Sequence, residues 1–162
     1  MVWECIYISS LYGFKGQKKF EKIFRQVWED QDLLIVEGTL SKSGTGNDLF
    51  DNAKSVKRII CPSKNAFSKV DVIQQEILKY AKGRLILVML GPTAKVLVKN
   101  LSDLGYQAID IGHIDSEYEW YKMGATHKVK IPNKHTAELD DGEVNVVEDK
   151  KYQSEILTVI DD

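Results

Sequence analysis

The sequence predicts an α/β domain built on a Rossmann-like parallel sheet of about four strands with flanking helices. Three observations carry that expectation. Short apolar runs recur along the chain, and Leu33-Leu34-Ile35-Val36 and Leu85 to Leu90 are unbroken, as strands covered on both faces require. Segments with apolar residues at helical spacing lie between them. The joins are short, and strands alternating with helices through short joins form parallel sheets.

The elements follow in order. Phe20, Ile23, Phe24, Val27 and Trp28 give one apolar face to a helix from about Gln17 to Glu29. The first strand, Leu33 to Val36, ends at Glu37-Gly38. A polar loop runs from Thr39 to Asn47, and Asp48 is placed to cap a short helix reaching about Lys54. Arg58-Ile59-Ile60-Cys61 is a second strand, stopped by Pro62. Ser68, with Asp71 three residues on, approximates a capping box for a helix with Val70, Ile73, Ile77 and Ala81 on its buried face. Gly83 closes that helix before the third strand. Pro92 then stands at a first helical position, and Gly105 ends a helix striped by Ala94, Leu97, Val98 and Leu101. Tyr106 to Ile111 is the fourth strand. Asp115 to Met123 is expected to be helical and Lys128 to Pro132 extended. Tyr152, Ile156 and Ile160 predict a final helix packed by one face.

A chain of 162 residues, 43% hydrophobic, suits one domain with a real core. The net charge of −2 argues against a general nucleic-acid binder. The charge is uneven: Glu138 to Asp162 is strongly acidic, which leaves the rest slightly basic. Such a body suits an anionic small ligand or is simply a solvated surface. Cys5 and Cys61 have no ligand-like spacing and read as free thiols in a reducing, cytoplasmic setting. No apolar run approaches the roughly 20 residues of a membrane span. Met1 to Phe14 lacks the features of a secretory leader.

Ligands of open parallel sheets bind beyond the carboxyl ends of the strands, and four segments arrive there. In the first, Glu37 to Asp48, Gly44 and Gly46 let amides approach an anion while hydroxyls and Lys42 add donors. The alternative is a polar loop. In the second, Cys61 to Phe67, Lys64 is placed to meet phosphate and Asn65 a base edge, or the segment is a plain loop. In the third, Leu90 to Ala94, Gly91, Pro92 and Thr93 offer a helix N-terminus to phosphate, or merely turn the chain. In the fourth, Asp110 to Asp115, His113 between two aspartates is a candidate base, ribose contact or metal neighbour. There the alternative is that Asp115 caps the following helix and His113 bonds backbone. His127 and His135 read as surface residues, and no ligand pair has zinc spacing. Asp141-Gly142-Glu143 has the letters of a metal-binding Asp-x-Glu but follows no expected strand and reads as a solvated turn.

Taken in order, these blocks resemble bacterial glycosyltransferases of the GT-D fold type: Glu37-Gly38, Gly44 to Ala53, Cys61 to Phe67, Leu90 to Ala94, and Leu104 to Asp115 with Glu117 to Trp120. The resemblance runs from about Gln17 to the C-terminus. It implies transfer of a hexose from a UDP-sugar to a glycan acceptor in bacterial surface glycan or glycoprotein synthesis. It also implies Mn²⁺ or Mg²⁺ held by an Asp-x-Glu motif and neutralising the leaving diphosphate. In this family that motif lies upstream of everything visible here, so no metal ligand is assigned to this chain. Residues 1–16 are expected to be a remnant of that upstream portion, and their apolar character makes self-association or a missing N-terminal partner plausible. Thr39 and Lys42 stand where the family would have an acidic residue and an arginine.

On this resemblance Glu37, Asp48 and His113 are the candidate catalytic residues, Glu37 as a base or as a carboxylate supporting the site from behind. Gly44, Gly46, Asn47, Lys64, Gly91, Pro92, Thr93, Asp110 and Asp115 are the candidate donor contacts. Alanine at Asp48 is expected to abolish transfer in a full-length relative. The alternatives are an inactive fragment or partner subunit, and an unrelated nucleotide-binding α/β protein.

Overall fold

The computed structural model of the chain describes residues 25–132, 134 and 149–161. Strand β1 (Asp32–Gly38) is apolar from Leu33 to Val36 because both of its faces are covered there. Leu34 and Val36 point into one core cluster and Leu33 and Ile35 into another. Strand β2 (Ser55–Cys61) and β3 (Leu85–Met89) flank it, and β4 (Ala108–Asp110) pairs with β3. A fifth strand, β5 (Ile156–Val159), pairs with β2, so the order is β4-β3-β1-β2-β5 with every pairing parallel.

Two layers cover the sheet. A 3₁₀ turn (Ala66–Lys69) leads into helix α1 (Val70–Tyr80). This helix and α2 (Pro92–Asp103) bury Ile73, Ile77, Leu97 and Leu101 against one face. The other face is covered by Trp28, by Leu49 and Phe50 of the β1–β2 connection, and by α3 (Ile114–Met123) through Tyr118. Burying each such side chain stabilises the fold by about 1.5–3 kcal/mol. Residues 25–28 are helical, as expected of the end of the first helix. The rest of that helix, the apolar start, His135 and Asp141-Gly142-Glu143 lie outside the described residues.

The structure corrects four expectations. The terminal segment is a short helix α4 (Lys150–Glu155) followed at once by β5, in place of one continuous helix. Residues 48–54 form successive turns, with Asp51 and Ala53 amides donating to the Asp48 and Phe50 carbonyls. Leu49 and Phe50 are both buried there. Asp48 caps nothing; the Asn47 side-chain oxygen accepts from the Leu49 amide instead. Ser68 does not cap α1 either, since its hydroxyl donates to the Asn65 carbonyl. The Trp120 indole pins the segment Lys128 to Pro132 by donating to the Val129 carbonyl at 2.7 Å.

Candidate functional site

The ends of β1, β2, β3 and β4 open onto one crevice of about 640 Å³. Its polar lining includes Lys64, Asn65, Thr93, His113 and Asp115, contributed by the segments after β2, β3 and β4. Gly91 and Pro92 line it as well. Lys64 is exposed and has no ion-pair partner among the described residues. Pro92 occupies the first turn of the 12-residue α2, whose N-terminus carries partial positive charge toward the crevice. The amides expected to be free there are only partly so. Thr93 N–H donates to the Leu90 carbonyl, Ala94 N–H donates to the Gly91 carbonyl, and proline has none. The helix therefore offers a field more than open donors. The Thr93 hydroxyl makes no hydrogen bond among the described residues. Gly91, at φ 51°, makes the turn that L side chains resist.

Around this crevice two buried polar networks fix the loop after β1. In the first, Glu37 is fully buried. One of its oxygens accepts from Arg58 at 2.7 Å and the Tyr152 hydroxyl at 3.1 Å, and the other accepts from the Ser43 amide at 2.8 Å. Arg58 also donates to Glu155 at 2.7 Å and stacks on the Tyr152 ring at 4.6 Å. Burial works to lower the Arg58 pKa, but Glu37 and Glu155 together hold it raised. Burial, then the Glu37 charge, pushes the Tyr152 hydroxyl well up and the Cys61 thiol to about 12.

In the second network, Asp115 is buried at the start of α3. It accepts from the Gly44 amide at 2.8 Å, the Asn47 side-chain amide at 2.9 Å and Lys134 at 2.7 Å. Asn47 reaches on to Glu119 at 2.6 Å. Gly44 is required by contact as well as by its φ of 78°, because a Cβ there would lie 2.7 Å from the Phe50 ring.

The structure thus sorts the nominated residues. Lys64, Gly91, Pro92, Thr93, His113 and Asp115 line the crevice together. Gly44, Gly46, Asn47 and Asp48, expected to line the cleft, are not among its lining residues; Gly44 and Asn47 bond Asp115, and Asp48 accepts from the Tyr118 hydroxyl. Asp48 is held by Arg25, the Tyr118 hydroxyl and Lys122. The hydrogen bond from Lys122 is the main reason its pKa falls to about 2. Glu37 lies beneath the loop with both oxygens engaged by Arg58, the Tyr152 hydroxyl and the Ser43 amide. Asp110 also lies off the crevice, accepting from the Gly112 amide at 3.0 Å, with its pKa raised by burial. Asp115 does not cap α3, where the boundary residue is His113. Sequence reasoning missed Arg58, Tyr152 and Glu155. The available signal was an arginine inside an apolar strand, which demands a buried countercharge.

The carboxylates described here do not fit a Mn²⁺ or Mg²⁺ ion. Among the described residues no group of three or more His, Cys, Asp or Glu converges to hold a metal. Glu37 and Asp115 are engaged by cations and amides as above. No helix of the described residues is long and apolar enough to cross a membrane.

An open parallel sheet with its crevice at the strand ends is the arrangement in which α/β proteins bind their ligands. Comparison with known proteins narrows this. A family model described as glycosyltransferase GT-D fold matches residues 5–139. This chain belongs to the GT-D-fold glycosyltransferase family. It is 59% identical over 147 residues to glycosyltransferase GlyD of Streptococcus pneumoniae serotype 4, covering 90% of this chain and 18% of that protein. It is 60% identical over 134 residues to the probable glycosyl transferase Gly of Streptococcus gordonii, covering 82% of this chain and 20% of the relative. A solved structure described as domain of unknown function 1792 with a distinct glycosyltransferase fold superposes with a TM-score of 0.87 at 56% identity, over 91% of this chain and 53% of the other. A second, described as a new glycosyltransferase from Streptococcus sanguinis, gives 0.87 at 55% identity, over 90% and 55%. The chain therefore spans about a fifth of the length of these curated relatives and about half that of the solved structures.

Proposed function

We propose that this chain forms the donor side of a glycosyltransferase site, binding a UDP-sugar in the strand-end crevice for transfer of its hexose to a glycan acceptor. The observation that carries the reading is the convergence of Lys64, the α2 N-terminus, Thr93 and His113 on one crevice in a member of this family. In the transfer, an acceptor hydroxyl oxygen bonds to the anomeric carbon as the bond from that carbon to the diphosphate oxygen breaks. Negative charge grows on the departing UDP. Lys64 and the positive end of α2 stabilise it there, and the Thr93 hydroxyl donates to a phosphate oxygen. His113, across the crevice, accepts the proton that the acceptor hydroxyl loses. Asp115 acts as a positioning residue, tying the loop after β1 to the helix that carries His113. Asp48 supports the same helix through Tyr118 and Lys122. Such a role belongs to cells that build bacterial surface glycans or glycoproteins, with the enzyme in the cytoplasm where nucleotide sugars are made.

A second reading is favoured by the chain's spanning about half the length of the solved structures it matches. The chain would bind donor but transfer sugar only with residues supplied from outside it. Titration with UDP-glucose, paired with an assay of UDP release in the presence of a glycan acceptor, separates the two. Binding with release supports the enzyme, and binding without release supports the partial site. Absence of binding overturns both.

A further inference from the structure

The chain leaving α3 doubles back along the helix. Gly124 ends α3 in a left-handed turn, and the Ala125 amide donates to the Trp120 carbonyl at 2.9 Å. The Trp120 indole then holds the Val129 carbonyl, and Ile131 is buried. Three residues on, Lys134 reaches the opposite end of the helix. Its ammonium donates to Asp115 at 2.7 Å and to Glu119 at 3.3 Å. The Lys134 side chain is only 10% exposed, so solvent ions screen these pairs little. Residues 125–132 and Lys134 thus strap α3 from its C-terminal end to its first turn.

The fastening at Lys134 bears on the loop after β1. The consecutive amides of Ser43 and Gly44 donate to two different buried carboxylates, Glu37 and Asp115, each at 2.8 Å. Each carboxylate has its own cation: Arg58 meets Glu37 from within the sheet, and Lys134 meets Asp115 from the strap. Lys134 takes the Asp115 oxygen that the loop does not use, since Gly44 and Asn47 both donate to the other. Asn47 also reaches Glu119, so two carboxylates share one amide, and the Lys134 ammonium is the cation bonded to both. Two like charges this close repel unless a cation stands between them. Ser43 lines the crevice, and its hydroxyl donates to the Met89 sulfur at 3.0 Å. The placing of the Ser43–Gly44 peptide therefore sets the crevice wall beyond β1.

We infer that Lys134 is a positioning residue for the crevice: by holding Asp115 it fixes the Ser43–Gly44 peptide, and with it that wall. Its effect on donor binding rests on the UDP-sugar role proposed above; its hold on Gly44 does not.

The test is amide hydrogen exchange of the full ¹⁵N-labelled chain, read residue by residue, with UDP affinity measured alongside by calorimetric titration. Lys134→Met keeps the reach of the side chain and removes its charge. It is expected to speed exchange of the Gly44 amide by about tenfold or more, the scale of one hydrogen bond to a charged acceptor, and to leave Ile35 and Leu87 inside the sheet unchanged. UDP affinity should fall by about threefold or more, within the range of coupling through a contact that touches no ligand. Lys134→Arg should keep both near the parent's values, because a guanidinium retains the charge and can span the two carboxylates. Unchanged Gly44 exchange in Lys134→Met overturns the inference. Faster exchange throughout the sheet also overturns it, because that reports a general loss of stability, and so does a Lys134→Arg chain that behaves as Lys134→Met does. Faster Gly44 exchange with UDP affinity unchanged overturns the link from the loop to the crevice. A parent chain that binds no UDP overturns the donor reading, and Gly44 exchange then decides by itself whether Lys134 holds the loop.

Discussion

Arg58→Met is the perturbation whose consequence the structure specifies most fully. The guanidinium is 4% exposed, with Glu37 fully buried on one side and Glu155 on the other. Removing it leaves two carboxylates facing a gap, and among the described residues only the Tyr152 hydroxyl and the Ser43 amide remain as donors, both to Glu37. Breaking a buried pair from one side costs about 3–5 kcal/mol, because a charge stays buried without compensation. Loss of stacking on Tyr152 adds about 0.5–1 kcal/mol or more. With a urea slope of about 2 kcal/mol/M, the midpoint should fall by roughly 1.8–3 M. Urea unfolding followed by tryptophan fluorescence reads this directly, since Trp28 is buried in the core. The double variant Arg58→Met with Glu37→Met should recover part of the loss, as its remaining carboxylate, Glu155, is 12% exposed and can turn toward water. A single variant costing under about 1 kcal/mol would refute the network as the tie between the C-terminal segment and the sheet.

Other expectations follow from local geometry. Gly44→Ala combines a positive φ with a Cβ against the Phe50 ring, and should lower stability by about 1–3 kcal/mol in a thermal melt; an unchanged melting temperature would contradict the close packing. Asp48 has its folded pKa depressed from 3.8 to about 2, chiefly by Lys122, so its contribution is present above about pH 4 and is lost as pH falls toward 2. Asp48→Asn should flatten the stability profile in that window only, and by a small amount, because the side chain is 41% exposed and screened by solvent. Cys61 is buried with its thiol pushed up to about 12, so alkylation read at Cys61 by mass spectrometry should be negligible at pH 8 until the chain unfolds.

The sheet was legible wherever burial alone decides the residue type. Strands β1 and β3 lie inside the sheet, under helices or packed loops on both faces, and their unbroken apolar runs announce it. Strand β5 was not legible. Tyr152, Ile156 and Ile160 recur every four residues, a spacing compatible with a helical turn and also with the two-residue period of a strand. The helix ends at Glu155, so the same three positions span two element types. The turns at 48–54 were hidden for a related reason: an asparagine–aspartate pair before apolar residues looks like a helix start, while the burial of both Leu49 and Phe50 is a tertiary fact. At the site, Lys64, Thr93 and His113 were found because strand ends fix where their loops emerge. Glu37, Asp48, Gly44 and Gly46 were assigned to the crevice by proximity in sequence. Their partners Arg58, Tyr118 and Asp115 come from elsewhere in the chain, and only the folded arrangement shows that they claim these groups.

The central claim is that UDP lies across the ends of β2, β3 and β4. Titrating ¹⁵N-labelled chain with UDP, and following amide chemical shifts, tests it most directly. The account predicts saturable shifts concentrated at Lys64, Asn65, Gly91, Thr93 and His113, with Ala108 and the β5 residues unmoved. Shifts confined to β5 and α4, or none at saturating UDP, would contradict it.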